Sequence, residues 1–426
     1  MKDEKITRRE LLMAMGAFGT AALAQCLETT TPTSASPTPS SSSRPSPSAR
    51  PSAQPTASAP TNLASAEPSA TETSLPLVTN TPALSWTGLS FIVIMCDTLR
   101  YDHIGFHGNG YQTPNIDAFA AQSQVFDRAY AGGFPTVLNR AEMFTGRYMF
   151  PHMGWEDMPA EETVLAETLN DTGYTTGLVF DTWHLKAHQF SFDRAFDSWR
   201  WIRGQEDDRY LTTPLDPSLP ASSEKLRHGE EVIKQYLRNV SKRQDESDYF
   251  VAQTVQTAIE WLRDNFNQNK FYLHIDAFDP HEPWDPPRSY VELYDRDYEG
   301  EEVIYPAYAP PDYLSADELE HTRALYAAEV ALVDHWMGEL FAEIDRLGLR
   351  DHTVVILTSD HGILLGEHNG IGKAWDHQGH YECYPLYDEL VHIPLMIRVP
   401  GVAPRRVPDL AQPVDLMPTI LEWAET

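Results

Sequence analysis

Cysteine is almost missing from this chain: there are three, Cys26, Cys96 and Cys383, in 426 residues. So few thiols exclude a disulfide scaffold, and they exclude a structural zinc site made mainly of cysteine. Positive charge is also scarce. Lys and Arg total 32 against 62 Asp and Glu, a formal net charge of −30. A general nucleic-acid binder needs a basic surface for phosphates, so that class is excluded. An anionic substrate is not, because a metal ion can invert the charge inside a cleft. The apolar run near the start, Ala14 to Leu23, is too short to cross a bilayer as a stable helix. What remains is 42% hydrophobic and 22% charged, the balance of a globular protein. The length suits one large domain or two average ones.

Arg8-Arg9 ahead of the apolar run resembles a twin-arginine export signal. A ragged terminal helix is the plain alternative. Cleavage could follow Ala22-Leu23-Ala24. Alternatively, Leu23-Ala24-Gln25-Cys26 looks like a bacterial lipoprotein box with Cys26 lipidated, although Gln25 departs from the small residue usual there. From Thr29 to Ala83 the chain is mostly Pro, Ser, Thr and Ala, with no aromatic residue and no glycine. Such a segment cannot offset its chain entropy by burial and is expected to be an extended, disordered spacer. The organisation read from this is an export signal over 1–28, a linker over 29–85 and a folded domain over 86–426. The destination is a bacterial periplasm or cell surface, with membrane attachment through Cys26 if the lipid box is used.

From Trp86 onward strand and helix signals alternate. Ser90 to Met95 is a continuous apolar run, as expected of a strand covered on both faces. Thr175 to Phe180, Phe271 to Ile275, Thr353 to Thr358 and Leu395 to Val399 read the same way. Helices are expected over 114–122, where Pro opens the run, and over 163–170. Ser315-Ala316-Asp317-Glu318 is a capping box, and Leu325, Ala328, Leu332, Trp336, Leu340, Ile344 and Leu347 keep helical spacing behind it until Gly348. Residues 206–248 are polar and read as a surface excursion with a helix. The alternation predicts an α/β sandwich with a largely parallel central sheet.

In open α/β sheets, ligands collect where strands end. Asp97 directly follows one predicted strand, and Asp360-His361-Gly362 follows another. Each aspartate alone reads equally well as a helix N-cap. Together, two carboxylates and an imidazole are plausible ligands for a divalent metal.

These residues carry a family resemblance. Asp97-Thr98-Leu99-Arg100-Tyr101-Asp102-His103-Ile104-Gly105 resembles the opening motif of the sulfatase family, in the alkaline phosphatase superfamily. Thr113 to Asp117, Arg140 to Arg147, Asp279-Pro280-His281-Glu282-Pro283, Thr358 to Gly362, Leu365 to His368, Gly372-Lys373 and Asp415 to Thr419 follow in family order. The resemblance covers Leu89 to the end. It implies an alkaline-phosphatase-like fold and an ester hydrolase. Relatives continue past the Asp415–Thr419 helix into a small sheet subdomain, whereas this sequence stops at Thr426, so that C-terminal subdomain is expected to be missing.

The nucleophile position departs from the family. Sulfatases of the usual kind carry a Cys or Ser oxidised to formylglycine. Counting back from Arg140, that position here is Thr136, followed by Val137-Leu138-Asn139. Oxidising threonine's secondary hydroxyl would give a ketone, not an aldehyde, so a formylglycine mechanism is not expected. Metal-bound threonine nucleophiles are used by phosphodiesterases and phosphonoacetate hydrolases of the superfamily. A helix N-cap is the plain reading of Thr136. The resemblance implies that Asp97, Asp360, His361 and Thr136 hold one divalent ion, with Mn, Ca, Mg and Zn all admitted. Here Met95-Cys96 precede a single Asp97, where the family often has paired aspartates. It further implies that Arg140 holds the nucleophile's oxygen and the substrate anion, that Lys373 touches the transferring group, and that His281 donates to a substrate oxygen or protonates the leaving group. His184, in Thr182-Trp183-His184-Leu185, matches the histidine of a Lys-Trp-His-Leu motif whose lysine is Thr182 here. His377 and His380 lie close after Lys373, and Arg203 to Glu206 with Asp208 reads either as a cleft-side stretch or as a surface turn. Cys96 and Cys383 read as buried thiols.

The expected function is therefore hydrolysis of sulfate or phosphate/phosphonate esters, with phospho-ester chemistry through Thr136 favoured. The substrate would be an anionic ester, small or linked to a glycan or lipid. The alternative is a catalytically silent relative that binds surface glycans or polymers.

Overall fold

Unbroken apolar runs make the central strands, because a strand covered by helices on both sides has no solvent face to keep polar. The computed structural model describes residues 88–185, 191–206, 208–377 and 380–426. The expected signal and linker lie outside the described residues, as do the side chains of His377 and His380. Eight strands form one sheet: β1 (Ser90–Cys96), β2 (Gln124–Ala129), β3 (Thr175–Phe180), β4 (Ser198–Trp201), β5 (Phe271–Ala277), β6 (Thr353–Thr358), β7 (Leu395–Arg398) and β8 (Arg405–Ala411). Their order is β8-β2-β7-β6-β1-β5-β3-β4. Five of the seven junctions are parallel, and only β7 runs against its neighbours. The expected α/β architecture with a largely parallel sheet is what forms.

Alternation along β1 divides the protein into two cores. Ile92, Ile94 and Cys96 pack with helices Pro114–Ala120, Phe250–Asn265 and Ala316–Arg346. Phe91, Val93 and Met95 pack on the other side, with helices Thr136–Thr145, Leu165–Asp171 and Leu416–Ala424. Each fully buried side chain of this size stabilises the fold by about 2 kcal/mol. The 31-residue helix Ala316–Arg346 starts with the expected box: Glu318 N–H donates to Ser315 Oγ at 3.2 Å, and Ser315 N–H donates to Glu318 Oε2 at 2.8 Å.

Two elements differ from expectation in ways that matter for the site. β5 does not stop at Ile275 but runs to Ala277, because Asp276 is paired inside the protein instead of turning to water. The polar stretch after Glu206 is only partly a surface excursion. It holds helix Glu230–Val240, but Gln205 and Glu206 at its start are buried and hydrogen bonded inward. Among the described residues, no helix is long and apolar enough to cross a membrane.

Candidate active site

β6, β1 and β5 lie side by side and parallel at the centre of the sheet, so their carboxyl ends open on one edge. Asp97 follows β1, Asp360 follows β6 by one residue, and Asp276 stands beside Met95 in β5. All three are fully buried. Thr98 sits between the first two in the left-handed region, at φ +62°, a strained position for a β-branched residue. The strain has a visible use. Its N–H donates to Asp360 Oδ1 at 3.0 Å while its hydroxyl donates to Asp97 Oδ1 at 2.7 Å, so one residue orients both carboxylates.

Asp97, Asp360 and His361 offer one ligand atom each, all within 4.8 Å of one another. The His361 Nδ1–H donates to the Gly362 carbonyl at 3.0 Å, which leaves the Nε2 lone pair facing the cluster. That atom is 3.4 Å from Asp360 Oδ2 and 3.2 Å from the Thr136 hydroxyl. Burial pushes the imidazole down to about 3, against the pull of Asp360. Burial and then the charge of Asp360 push the Asp97 carboxyl well above the usual range. Burial also opposes ionisation of Asp360, but His361, Arg140 and the Thr98 N–H together hold it below the usual range.

Thr136 opens the ten-residue helix Thr136–Thr145 as its first helical residue; the cap position belongs to Pro135. The plain reading of Thr136 as an N-cap therefore fails: its hydroxyl is turned to His361 and not back onto its own helix. Asp97 and Asp360 are not helix caps either, since a turn and a loop follow them. One turn further along the helix, Arg140 is completely buried and spends its donors on acids. It donates from Nε and Nη2 to Asp276 at 2.8 Å each, from Nη1 to Asp360 at 2.5 Å and from Nη2 to Asp97 at 3.0 Å. This guanidinium spaces three carboxylates and does not reach for a substrate anion in this arrangement. Asn139 ties the helix down by donating to the Asp360 carbonyl at 2.8 Å.

The other side of the cleft is built from loops. Lys373 Nζ donates to His281 Nε2 at 2.6 Å, and His281 Nδ1–H donates to the Glu282 carbonyl at 2.8 Å. Burial, then Lys373, push His281 well below its ordinary value. Its Nδ1–H is committed to the backbone, and its Nε2 faces the Lys373 ammonium. His184 is buried edge-on to Trp155, and burial with the charges of Arg140, Lys373 and Arg227 lowers its pKa well below normal. Thr182, in place of the motif's lysine, donates to Asp276 at 2.5 Å. Gln205 donates to both Asp181 and Asp279, at 3.1 and 2.9 Å, and Glu206 accepts from the Trp183 indole at 2.8 Å, so the Arg203–Glu206 stretch is not a surface turn. Cys96 is buried as expected; Cys383 is only partly so.

Sequence reasoning missed Asp276 and Arg227. Asp276 carried a signal, a carboxylate inside the apolar run Phe271–Ala277. Arg227 carried none.

A divalent ion fits the donor set. Asp97, Asp276 and Asp360 carry three negative charges when ionised, Arg140 returns one positive, and all four side chains are fully buried. A net charge of two left buried this way is costly, and the raised Asp97 carboxyl registers that cost.

The sulfatase family model matches residues 90–426, the whole of the described fold. The chain belongs to the sulfatase family. That places it among the ester hydrolases of the alkaline phosphatase superfamily. It is 27% identical over 358 residues to the uncharacterized sulfatase YidJ of Escherichia coli strain K12, covering 79% of this chain and 68% of that one. It is 24% identical over 370 residues to the arylsulfatase of Clostridium perfringens, covering 79% and 74%. The solved phosphonate monoester hydrolase of Agrobacterium radiobacter shares the fold at a TM-score of 0.61, with 21% identity over 79% of this chain and 74% of that one. A sulfatase-fold protein solved with its substrate D-glucosamine-2-N,6-O-disulfate aligns at a TM-score of 0.57 with 19% identity, over 79% of this chain and 77% of that one.

Proposed function

We propose that this sulfatase-family chain is a metal-dependent hydrolase that acts through Thr136, with phosphate and phosphonate esters favoured over sulfate esters. One observation carries the reading: the Thr136 hydroxyl, at a helix N-terminus, faces His361 Nε2 at 3.2 Å beside the buried Asp97, Asp360 and Arg140. Cys96 offers no rival, since burial and the surrounding acids push its thiol far above the ordinary value.

Asp97, Asp360, His361 and Thr136 would hold the ion, which supplies a lowered hydroxyl pKa and charge neutralisation. The Thr136 oxygen, its proton lost to solvent, bonds to phosphorus as the ester P–O bond breaks in line. The departing oxygen takes a proton from the Lys373–His281 pair. Water then cleaves the phosphothreonine and restores the hydroxyl. Arg140 keeps the acids apart and oriented throughout. The substrate class is an anionic ester, free or carried on a glycan or lipid; relatives named as an N-acetylglucosamine-6-O-sulfatase and an ulvan-active sulfatase support the glycan form. The twin-arginine run, Cys26 and the spacer over 29–85 support an enzyme held outside the cytoplasm on a lipid tether.

The test pairs an aryl phosphodiester and an aryl phosphonate with an aryl sulfate, with and without chelator, and follows intact mass. Turnover of the phosphorus esters, its loss with chelator and in Thr136→Ala, and a threonine phospho-adduct are expected. Turnover of the sulfate alone with no adduct overturns the nucleophile; no turnover of any ester with metal supplied makes the chain a silent binder.

A further inference from the structure

His281 and Lys373 come from loops more than ninety residues apart, yet meet at 2.6 Å. Something must hold two mobile kinds of segment in that register. Glu282, next to His281, is fully buried, and its Oε2 lies 3.3 Å from His281 Nδ1. Its other oxygen, Oε1, accepts from the Tyr308 hydroxyl at 2.5 Å and from Arg227 Nη1 at 2.9 Å. The Arg227 guanidinium in turn lies over the Tyr308 ring, 4.0 Å from its centre. The same ring reaches the second loop. Gly372, immediately before Lys373, stands at φ +92°, and a Cβ there would collide with the Tyr308 ring. Past Lys373, Asp376 N–H donates to the Tyr308 carbonyl at 2.9 Å. Tyr308 therefore touches the neighbour of each member of the pair.

We infer that Tyr308 is a positioning residue for the Lys373–His281 pair: its hydroxyl, with Arg227, fixes Glu282, whose backbone carbonyl takes the His281 Nδ1–H, while its ring and backbone fix the loop that carries Lys373. The consequence is a fixed ring orientation and tautomer for His281, with Nδ1 protonated and Nε2 presented to the lysine. The inference rests on the proposed function only for its kinetic consequence.

Tyr308→Phe keeps the ring and removes the hydroxyl. Nitrogen-15 spectra of the histidine-labelled full chain read the tautomer without any turnover. Wild type should show His281 as a single Nδ1–H species and Tyr308→Phe a mixture; an unchanged single species in the variant overturns the inference even if the enzyme proves silent. Where turnover is present, kcat of Tyr308→Phe should fall about tenfold on esters with poor, alkoxide-like leaving groups. On aryl esters with good leaving groups it should stay close to wild type, with KM unchanged. An equal loss on both kinds of ester, tracking a lowered Tm, would mean that Tyr308 only packs. If Tyr308→Phe does not fold, Glu282→Ala, which removes the carboxylate that Tyr308 and Arg227 hold, should give the same tautomer mixture and leaving-group split; their absence overturns the inference.

Discussion

The two sides of the cleft are built differently. The floor is made of strand ends and one helix start: Asp97, Asp276, Asp360 and His361 beside Thr136 and Arg140. Its geometry follows from neighbouring parallel strands, and its buried charges are bonded to one another. The rim is made of loops, and its Lys373–His281 pair is held at second hand through Glu282, Arg227 and Tyr308. The floor sets where charge sits; the rim sets where a proton sits. Damage to the floor should therefore abolish the chemistry, whereas damage to the rim should grade it.

Asp360→Ala strikes the floor hardest, since it removes a ligand and frees one arm of Arg140. Turnover should fall at least about a thousandfold, and metal bound per chain, measured on dialysed protein, should drop to near zero. Retention of both would break the comparison. Asp276→Asn leaves the proposed ligands intact but halves the two-pronged partner of Arg140. Breaking a buried pair of this kind should cost about 3 kcal/mol in denaturant unfolding. A neutral result would mean that Asp97 and Asp360 suffice for Arg140. On the rim, Lys373→Ala should lower kcat about a hundredfold with metal content unchanged. Loss of metal in that variant would merge the two sides into one.

A control far from the cleft sharpens the contrast. His321, on the long helix Ala316–Arg346, bonds Asp295 at 2.9 Å and Glu302 at 2.7 Å, and these carboxylates outweigh burial to raise its pKa. A raised histidine binds its proton more tightly folded than unfolded. Its contribution is full below the unfolded value, about 6.5, and is lost as pH rises through the higher folded value. Both acids are partly exposed, so the effect should be about 1 kcal/mol. His321→Gln should flatten the fall of Tm with pH above neutrality while leaving kcat alone. An unchanged pH slope would remove His321 from the account.

How legible each side was in the sequence follows the same division. Asp97, Asp360 and His361 could be placed because apolar runs end just before them, and strand ends gather ligands. Asp276 escaped because it lies within its strand, where a carboxylate is tolerated only when paired, and the partner, Arg140, is 136 residues away. Thr136 was found by counting along a motif; its place at the helix start was off by one, because Pro135 takes the cap. On the rim, Lys373 and His281 were named from the family resemblance alone. Arg227 and Tyr308 were invisible, since their contacts join segments whose spacing carries no period. The polar composition of 206–248 read as surface, yet Glu206 is drawn inward by Trp183 and Tyr305, which are distant in sequence.

The central claim is that distant carboxylates, an imidazole and the Thr136 hydroxyl share one cation. Anomalous diffraction from crystals of the full chain soaked with manganese tests it most directly. The account predicts a single strong peak bonded to Asp97, Asp360 and His361, within reach of Thr136 Oγ1. A peak elsewhere, or none at this cluster while the protein turns over ester, would contradict it.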